Sequence, residues 1–494
     1  MTVSFNTIPS DLRVPLFYAE VDNSQANSGG SSMPRLIVAQ VNDDATALEI
    51  GQLTLVSSLG LAKSIGGIGS MLAQMYDTWR RSDPAGEVWC LPIKATGTKA
   101  AGTVTITGTA TAGGELNLYI GGSRVRATVT KGATPTAAAA ALAAAVNTAG
   151  LAVTAVAAVG VVTLTCKWSG LSGNDLALQL NRQGRNNGEV TPAGLTAVVA
   201  PVTGGVGTPD VALALANLGD EPFEFICAPW ADATSLDAWK AFMDDSSGRW
   251  SWAKQLYGHV YTAQRGTLGE LVALSATRND QHATIHGFEA ACPEPVWNVA
   301  AAYAARTAVF ISADPARPTQ TGELAGVTPA PAGARFTLTE RQSLLNRGIA
   351  TAYFGGGAQR IERAITSYQF NAFGQADDSY LDSETLHQSA YVIGYLKSRV
   401  TSKYGRHKLA NDGTRFGAGQ AIVTPNVIRA ELIAGYSALE QLGIVENAEA
   451  FAANLIVERS ATNPNRLNVL YPPDLVNQLR IFALQYQFRQ QYAV

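Results

Sequence analysis

Residues 96–205 interrupt an alternation of strands and helices that begins before them and resumes after them. Thr, Gly, Ala and Val dominate this segment, which holds no methionine and a single tryptophan, Trp168. GTVTITGTA (Gly102–Ala110), ELNLYIGG (Glu115–Gly122), RVRATVT (Arg124–Thr130) and GVVTLTCKW (Gly160–Trp168) alternate polar and apolar side chains, the period of half-buried strands. An alanine-rich helix is expected over Thr136–Asn147, and Gly204-Gly205 closes the segment. This pattern constrains the fold more than any other. It predicts a small β-rich domain inserted at 96–205, with a host domain completed from two pieces, 35–95 and 206–334.

Both pieces read as α/β. Arg35–Val41 and Glu87–Ile93 are expected strands, with a helix over Ile68–Arg81 carrying Met71, Leu72, Met75 and Trp79 on one stripe. That helix must stop before Asp83-Pro84. After the insertion, strands at Phe223–Ala228, Leu256–Tyr261 and Ala283–Phe288 alternate with helices at Ser235–Asp245, Leu268–Ala276 and Pro295–Phe310. Strands spaced by helices imply a largely parallel, doubly wound sheet. A proline-rich stretch, 315–333, ends the host. Residues 335–494 read as a further α/β unit. It has helices at Glu340–Arg347, Ser383–Lys403 (Ser383 as N-cap) and Asn426–Leu442, and short strands at Ile349–Phe354, Arg360–Tyr368, Asn454–Arg459 and Asn465–Tyr471. The expected class is α/β and α+β, multidomain.

The two ends read as arms. In residues 1–34 an apolar patch, with Leu16, Phe17, Tyr18 and Val21, precedes a polar Gly/Ser linker at Asn23–Ser32. An apolar patch on such a tether packs either on its own domain or on a neighbour. At the other end Ile481 and Phe482 lead into Leu484, Tyr486 and Phe488, which alternate with glutamines. That period of two suggests a strand added to a sheet edge, although Gln, Leu and Arg also favour helices.

Chemistry is harder to find. A formal charge of -3 gives no general attraction to nucleic acid or acidic membranes. Residues 335–494 nevertheless carry 16 Lys and Arg against 13 Asp and Glu. Cys90, Cys166, Cys227 and Cys292 form no CxxC pair, which suggests buried thiols in a reducing compartment rather than a disulfide scaffold or zinc site. The N-terminus has no basic-then-apolar leader, and the apolar run Ala137–Val162 is broken by Asn147, Gly150 and Gly160, so a soluble chain is expected. His282 and His286 are spaced like helical zinc ligands, but alanine replaces the glutamate and the segment favours a strand. Gly66-Gly67-Ile68-Gly69 lacks the third glycine of a dinucleotide turn, since Leu72 stands there; Gly355-Gly356-Gly357 lacks the Lys-Ser/Thr of a phosphate loop; no GxSxG occurs. No catalytic, cofactor-binding or metal-binding residues are expected.

Three long stretches, IPSDLRVPLFYAEVDNSQA (Ile8–Ala26), KSRVTSKYGRHKLANDGTRFGAGQAIVTP (Lys397–Pro425) and RLNVLYPPDLVNQLRIFALQYQF (Arg466–Phe488), resemble the tail sheath proteins of Mu-like contractile phages. The resemblance is weaker over 96–205. It implies a subtilisin-like fold without the protease triad, and a structural subunit that stacks in hexameric rings around a tail tube and contracts to drive the tube through the host envelope during genome delivery. The implied partners are further copies of the chain in a helical sheath, the tail tube protein, and baseplate and tail terminator proteins, with no nucleic acid, no membrane insertion and no cofactor. Its implied location is the virion tail, with assembly in the host cytoplasm. Leu16, Phe17, Tyr18 and Val21 would form one strand lent to a neighbour, and Ile481, Phe482, Leu484, Tyr486 and Phe488 the other, with Asn23–Ser32 as hinge. Lys397, Arg399, Lys403, Arg406 and Lys408 would face the tube. The preceding helix would turn Leu386, Ala390, Ile393, Leu396 and Val400 to its core. A basic helix end in solvent is the plainer account of those cations. An active subtilisin-like hydrolase, a secretion-system sheath and a surface-layer protein are the rival readings. They would need a triad, a second chain and an export signal respectively.

Overall fold

A computed structural model describes residues 33–491. The host begins with β1 (Arg35–Gln40), β2 (Thr54–Leu55), α1 (Leu59–Gly66), α2 (Met71–Ser82) and β3 (Val88–Ile93). Ser70 caps α2 by accepting the Ala73 N–H at 3.1 Å, and the expected stripe of Met71, Leu72, Met75 and Trp79 is buried. After the insertion come α4 (Val211–Leu215), β11 (Phe225–Cys227), α5 (Ala233–Met243), β12 (His259–Gly266), α6 (Leu268–Ser275), β13 (Ala283–Glu289), α7 (Val296–Ala313), α8 (Leu338–Leu345), β14 (Thr351–Gly355) and β15 (Ala358–Arg363). One sheet joins the two pieces, in the order β13-β12-β11-β1-β3-β2, parallel except for β2. α2 packs on β1 and α7 on β11 and β12, while residues of α5, α6 and α8 gather in a separate apolar cluster.

The insertion contains β4 (Lys99–Gly108), β5 (Gly114–Ile120), β6 (Ser123–Val129), α3 (Pro135–Ala149), β7 (Val153–Ala158), β8 (Val161–Ser169), β9 (Leu178–Leu180) and β10 (Leu195–Thr203). They form the antiparallel sheets β10-β4-β8-β7 and β6-β5-β9, with α3 packed on β4, β6, β7 and β8. Its two connections to the host cross at Gly97 and Gly207. A Cβ on Gly97 would lie 1.9 Å from the Val206 carbonyl oxygen, and one on Gly207 2.0 Å from that of Thr96. Only glycine allows this approach.

The packing moves another boundary. Ala350 donates to the Ile285 carbonyl at 2.9 Å and accepts from Gly287 at 3.0 Å, so the chain before β14 extends the sheet beside β13. Ala350, Ala352, Ile361, Ala364 and Ile365 join the host core. The β14–β15 hairpin therefore belongs to the host, although the sequence suggested a new unit from 335. Gly356 and Gly357, both with positive φ, make its turn. A second core gathers Val392, Val423, Ile428, Leu432, Tyr436, Leu439, Phe451 and Leu455. It is built by α9 (Ser383–Tyr404), β16 (Lys408–Leu409), β17 (Ile422–Val423), α10 (Pro425–Gln441), β18 (Val445–Glu446), α11 (Ala448–Asn454), β19 (Ile456–Arg459), β20 (Leu467–Leu470) and β21 (Asp474–Leu475).

Candidate functional site

In an open parallel sheet, ligands bind beyond the carboxyl ends of the strands where the strand order reverses. Here that point lies between β1 and β11, because the chain winds outward to β3 from one and to β12 and β13 from the other. The insertion fills it. The buried Gln40 side chain donates to the Ser169 carbonyl at 2.9 Å and accepts from Ser172 Oγ at 2.6 Å. Trp168 packs edge-on against Trp297 of α7, their ring centroids 5.4 Å apart. The space remaining is a mainly apolar cleft of about 380 Å³ lined by Met71, Leu171, Trp230 and Trp297 among others. The four cysteines are buried. Burial pushes the Cys166 and Cys292 thiols up to about 12 and those of Cys90 and Cys227 higher still, so none supplies a thiolate at neutral pH. Among the described residues no group of three or more His, Cys, Asp or Glu could hold a metal ion, and no helix is long and apolar enough to cross a membrane.

One cluster has the residue types of a catalytic relay. His387 on α9 places Nδ1 2.6 Å from Glu224 Oε1 and Nε2 2.8 Å from the Tyr261 hydroxyl, and Ser383 Oγ lies 3.5 Å beyond it. His387 also stacks on Phe225 with 4.9 Å between centroids. Tyr261, Ser383 and His387 are buried where α9 meets the host sheet, so no substrate reaches them. The relay fastens the first half of α9 to the host sheet. The neighbouring histidines are likewise structural: His259 lies 2.8 Å from Thr284 Oγ1, His282 2.9 Å from Asp245, and His286 3.3 Å from the Ala350 carbonyl oxygen. Burial lowers the pKa of His286 to about 4 and that of His259 well below the usual imidazole value, so both are neutral at pH 7.

The far half of α9 carries Lys397, Arg399 and Lys403, and Arg406 and Lys408 follow it, but these cations are not equivalent. Arg399 donates to Glu431 of α10 and, at 2.8 Å, to the Tyr395 hydroxyl; Lys403 reaches the same Glu431 at 2.7 Å. Lys408 donates to Gln420 at 3.2 Å. Lys397, Arg406 and Lys408 are exposed and form no ion pair among the described residues. The apolar face of α9 also differs from expectation. Leu386 and Ala390 are buried, but Ile393 is 39% exposed. Leu396 and Val400 meet the second core as expected, and Val392, Tyr395 and Tyr404 join them in place of Ile393.

The C-terminal run leaves the body without forming a helix, and no strand pairs with it among the described residues. Ile481, Phe482, Leu484, Tyr486 and Phe488 are between 69% and 82% exposed. Leu16, Phe17, Tyr18, Val21 and the Asn23–Ser32 linker lie outside the described residues.

The crevice is thus narrowed from within, the relay is buried, and the C-terminal run displays apolar side chains. The patterns of the phage tail sheath protein central domain and the phage tail sheath C-terminal domain match residues 204–367 and 375–489. The Mu-like prophage FluMu tail sheath protein of Haemophilus influenzae is 40% identical over 493 residues, covering 99% of this chain and 100% of that one. The chain belongs to the phage tail sheath family. The aligned span includes 96–205, where the sequence resemblance was weakest. The crystal structure of a sheath tail protein from Desulfitobacterium hafniense shares the fold at a TM-score of 0.50 and 13% identity, covering 94% of this chain and 97% of that one. The anti-feeding prophage helical sheath in its contracted state overlaps with a TM-score of 0.46 and 11% identity, covering 97% and 100%.

Proposed function

We propose that this chain polymerises as stacked hexameric rings around a tail tube, in a helical sheath, and contracts to drive the tube through the host envelope during genome delivery. The observation that carries this reading is the C-terminal run, with five large apolar side chains presented to solvent. Contiguous exposed apolar surface marks an interaction site, and the alternation of Phe482, Leu484, Tyr486 and Phe488 suits strand addition to a neighbour's sheet. The β19–β20 hairpin is a receptor on the same chain: two strands alone are marginally stable, and Ile456, Val469 and Leu470 are exposed on it. Leu16, Phe17, Tyr18 and Val21 would lend the second strand. Main-chain hydrogen bonds of this kind survive rotation of the attached bodies, so the lattice stays linked as it contracts. A difference of about 1–3 kcal/mol per subunit between the two packings accumulates along a polymer, and no nucleotide is needed.

The core is read as doubly wound and subtilisin-like, a reading supported by the two separate helix clusters on its sheet. The further partners are the tail tube protein and the baseplate and tail terminator proteins, within the virion, with assembly in the host cytoplasm. Negative-stain electron microscopy of the purified protein tests the central claim. Hollow tubes or ring stacks wider than a bare tail tube are expected; a monomeric particle at high concentration would overturn it.

For the tube, Lys397, Arg406 and Lys408 form the contacting set, while Arg399 and Lys403 position the helix through Glu431. Exposed pairs of this kind contribute about 0.2–1 kcal/mol each and break readily on contraction. Reversing Lys397, Arg406 and Lys408 to glutamate is expected to abolish co-sedimentation with tubes while the chain still polymerises alone. Undiminished tube binding would rule this surface out.

A further inference from the structure

The apolar run does not leave the body at an arbitrary point. β21 pairs with β18, and the Val476 N–H donates to the Ile444 carbonyl at 3.2 Å. Gln478 Nε2 then donates to the Ala316 carbonyl at 3.2 Å, and Gln320 Nε2 to the Leu479 carbonyl at 3.1 Å. The last of these contacts is Arg480. Its guanidinium lies 3.2 Å from Asp382 Oδ1 and 3.1 Å from Glu384 Oε1, and its side chain is only 11% exposed. One residue later the chain is in solvent, with Ile481 80% exposed.

The two carboxylates are themselves fixed. Asp382, the N-cap residue of α9, takes both forks of Arg363 at 2.8 Å. Glu384, in the first turn, accepts from the Thr319 N–H at 3.0 Å and its hydroxyl at 2.7 Å. Two arginines thus face two acids at the start of α9, where the helix dipole favours the negative charge. A buried ion pair with several hydrogen bonds at fixed geometry does little for net stability, but it does specify position. Two of the guanidinium nitrogens, Nε and Nη1, are buried without a partner, so Arg480 is held here at the expense of its own hydrogen bonding.

We propose that Arg480 is a positioning residue for assembly. It pins the root of the C-terminal run to the start of α9, so that the apolar side chains leave along one path toward the adjacent subunit. This rests on reading that run as an intersubunit strand. Fixing the root removes conformational freedom that strand addition would otherwise have to restrain, which raises affinity without any new contact.

The test compares the full chain with Arg480→Ala, Arg480→Lys and a chain ending at Arg480, following polymer by sedimentation and the unpolymerised subunit by thermal melting. The chain ending at Arg480 is expected to melt like the parent and form no polymer. Arg480→Ala is expected to raise the concentration for half-polymerisation about tenfold or more, and Arg480→Lys, which keeps the charge, to recover part of that loss. If Arg480→Ala polymerises like the parent while the shortened chain does not, the anchoring role is wrong and the strand reading stands. If the shortened chain polymerises normally, the strand reading itself falls. Should Arg480→Ala fail to fold, Gln320→Ala, which removes the contact to the Leu479 carbonyl, loosens the same root without taking a partner from Arg480. It must then show the same shift, or the proposal fails.

Discussion

A chain with Phe482, Leu484, Tyr486 and Phe488 all replaced by serine is expected to fold like the parent and to form no polymer. In the free subunit these side chains are 69–82% exposed, so removing them breaks no core contact, and exposed substitutions usually change stability by less than about 0.5 kcal/mol each. In the assembled state they would be buried. Full burial of a side chain of this size contributes about 1.5–3 kcal/mol, so four together forfeit on the order of 6–12 kcal/mol. Each 1.4 kcal/mol is about tenfold in affinity, so association would vanish at any workable concentration. Calorimetry of the subunit and analytical sedimentation of the assembly read the two halves separately. A variant that melts normally and still forms tubes would remove the C-terminal run from the lattice.

The largest loss of stability is expected from Trp168→Ala, at about 3–5 kcal/mol. The ring is fully buried where the insertion meets the host, its indole N–H donates to Ser172 at 3.0 Å, and it packs edge-on against Trp297. Trp297 in turn donates to Gln74 of α2 at 3.2 Å, so one aromatic pair links the insertion, α7 and α2. Truncation leaves a cavity between the insertion and the host, which are joined covalently only by the two connections that pass each other at Gly97 and Gly207. Trp168→Phe keeps most of the apolar contact and is expected to lose less than half as much. Urea unfolding measures both. A loss below about 1 kcal/mol for the alanine variant would mean that the insertion folds and docks without this contact.

What was legible in the sequence was local. The stripe on α2 could be read because its residues recur within one helix. The family could be read because its motifs are long. Positions set by distant partners could not. Asp382, not Ser383, is the N-cap residue of α9, and its carboxyl serves Arg363 and Arg480 instead of capping the helix. The hairpin at 351–363 sits with the host because Ala350 finds a partner more than sixty residues earlier. Ile393 was assigned to the core by continuing one stripe along α9. The helix meets two different neighbours along its length, and the tyrosines at 395 and 404 mark the second face. Arg480 and the Glu224–His387–Tyr261 relay carried no signal, since single charged or aromatic residues far apart in sequence look like ordinary surface. Tyr395 and Tyr404 near Arg399 were the readable hint of an internal clamp.

The geometry of α9 gives the subunit a mechanical advantage. The helix is fastened to the host at its start by the His387 relay and the two carboxylates, its far half carries the second core and is clamped to α10 through Glu431, and from His387 to Lys403 it rises about 24 Å. A tilt of about 10° at that start therefore carries the far end of α9, and the second core with it, through about 4 Å. The terminal run is rooted at that same start. The root of the run lies at the fulcrum, the point that such a tilt moves least.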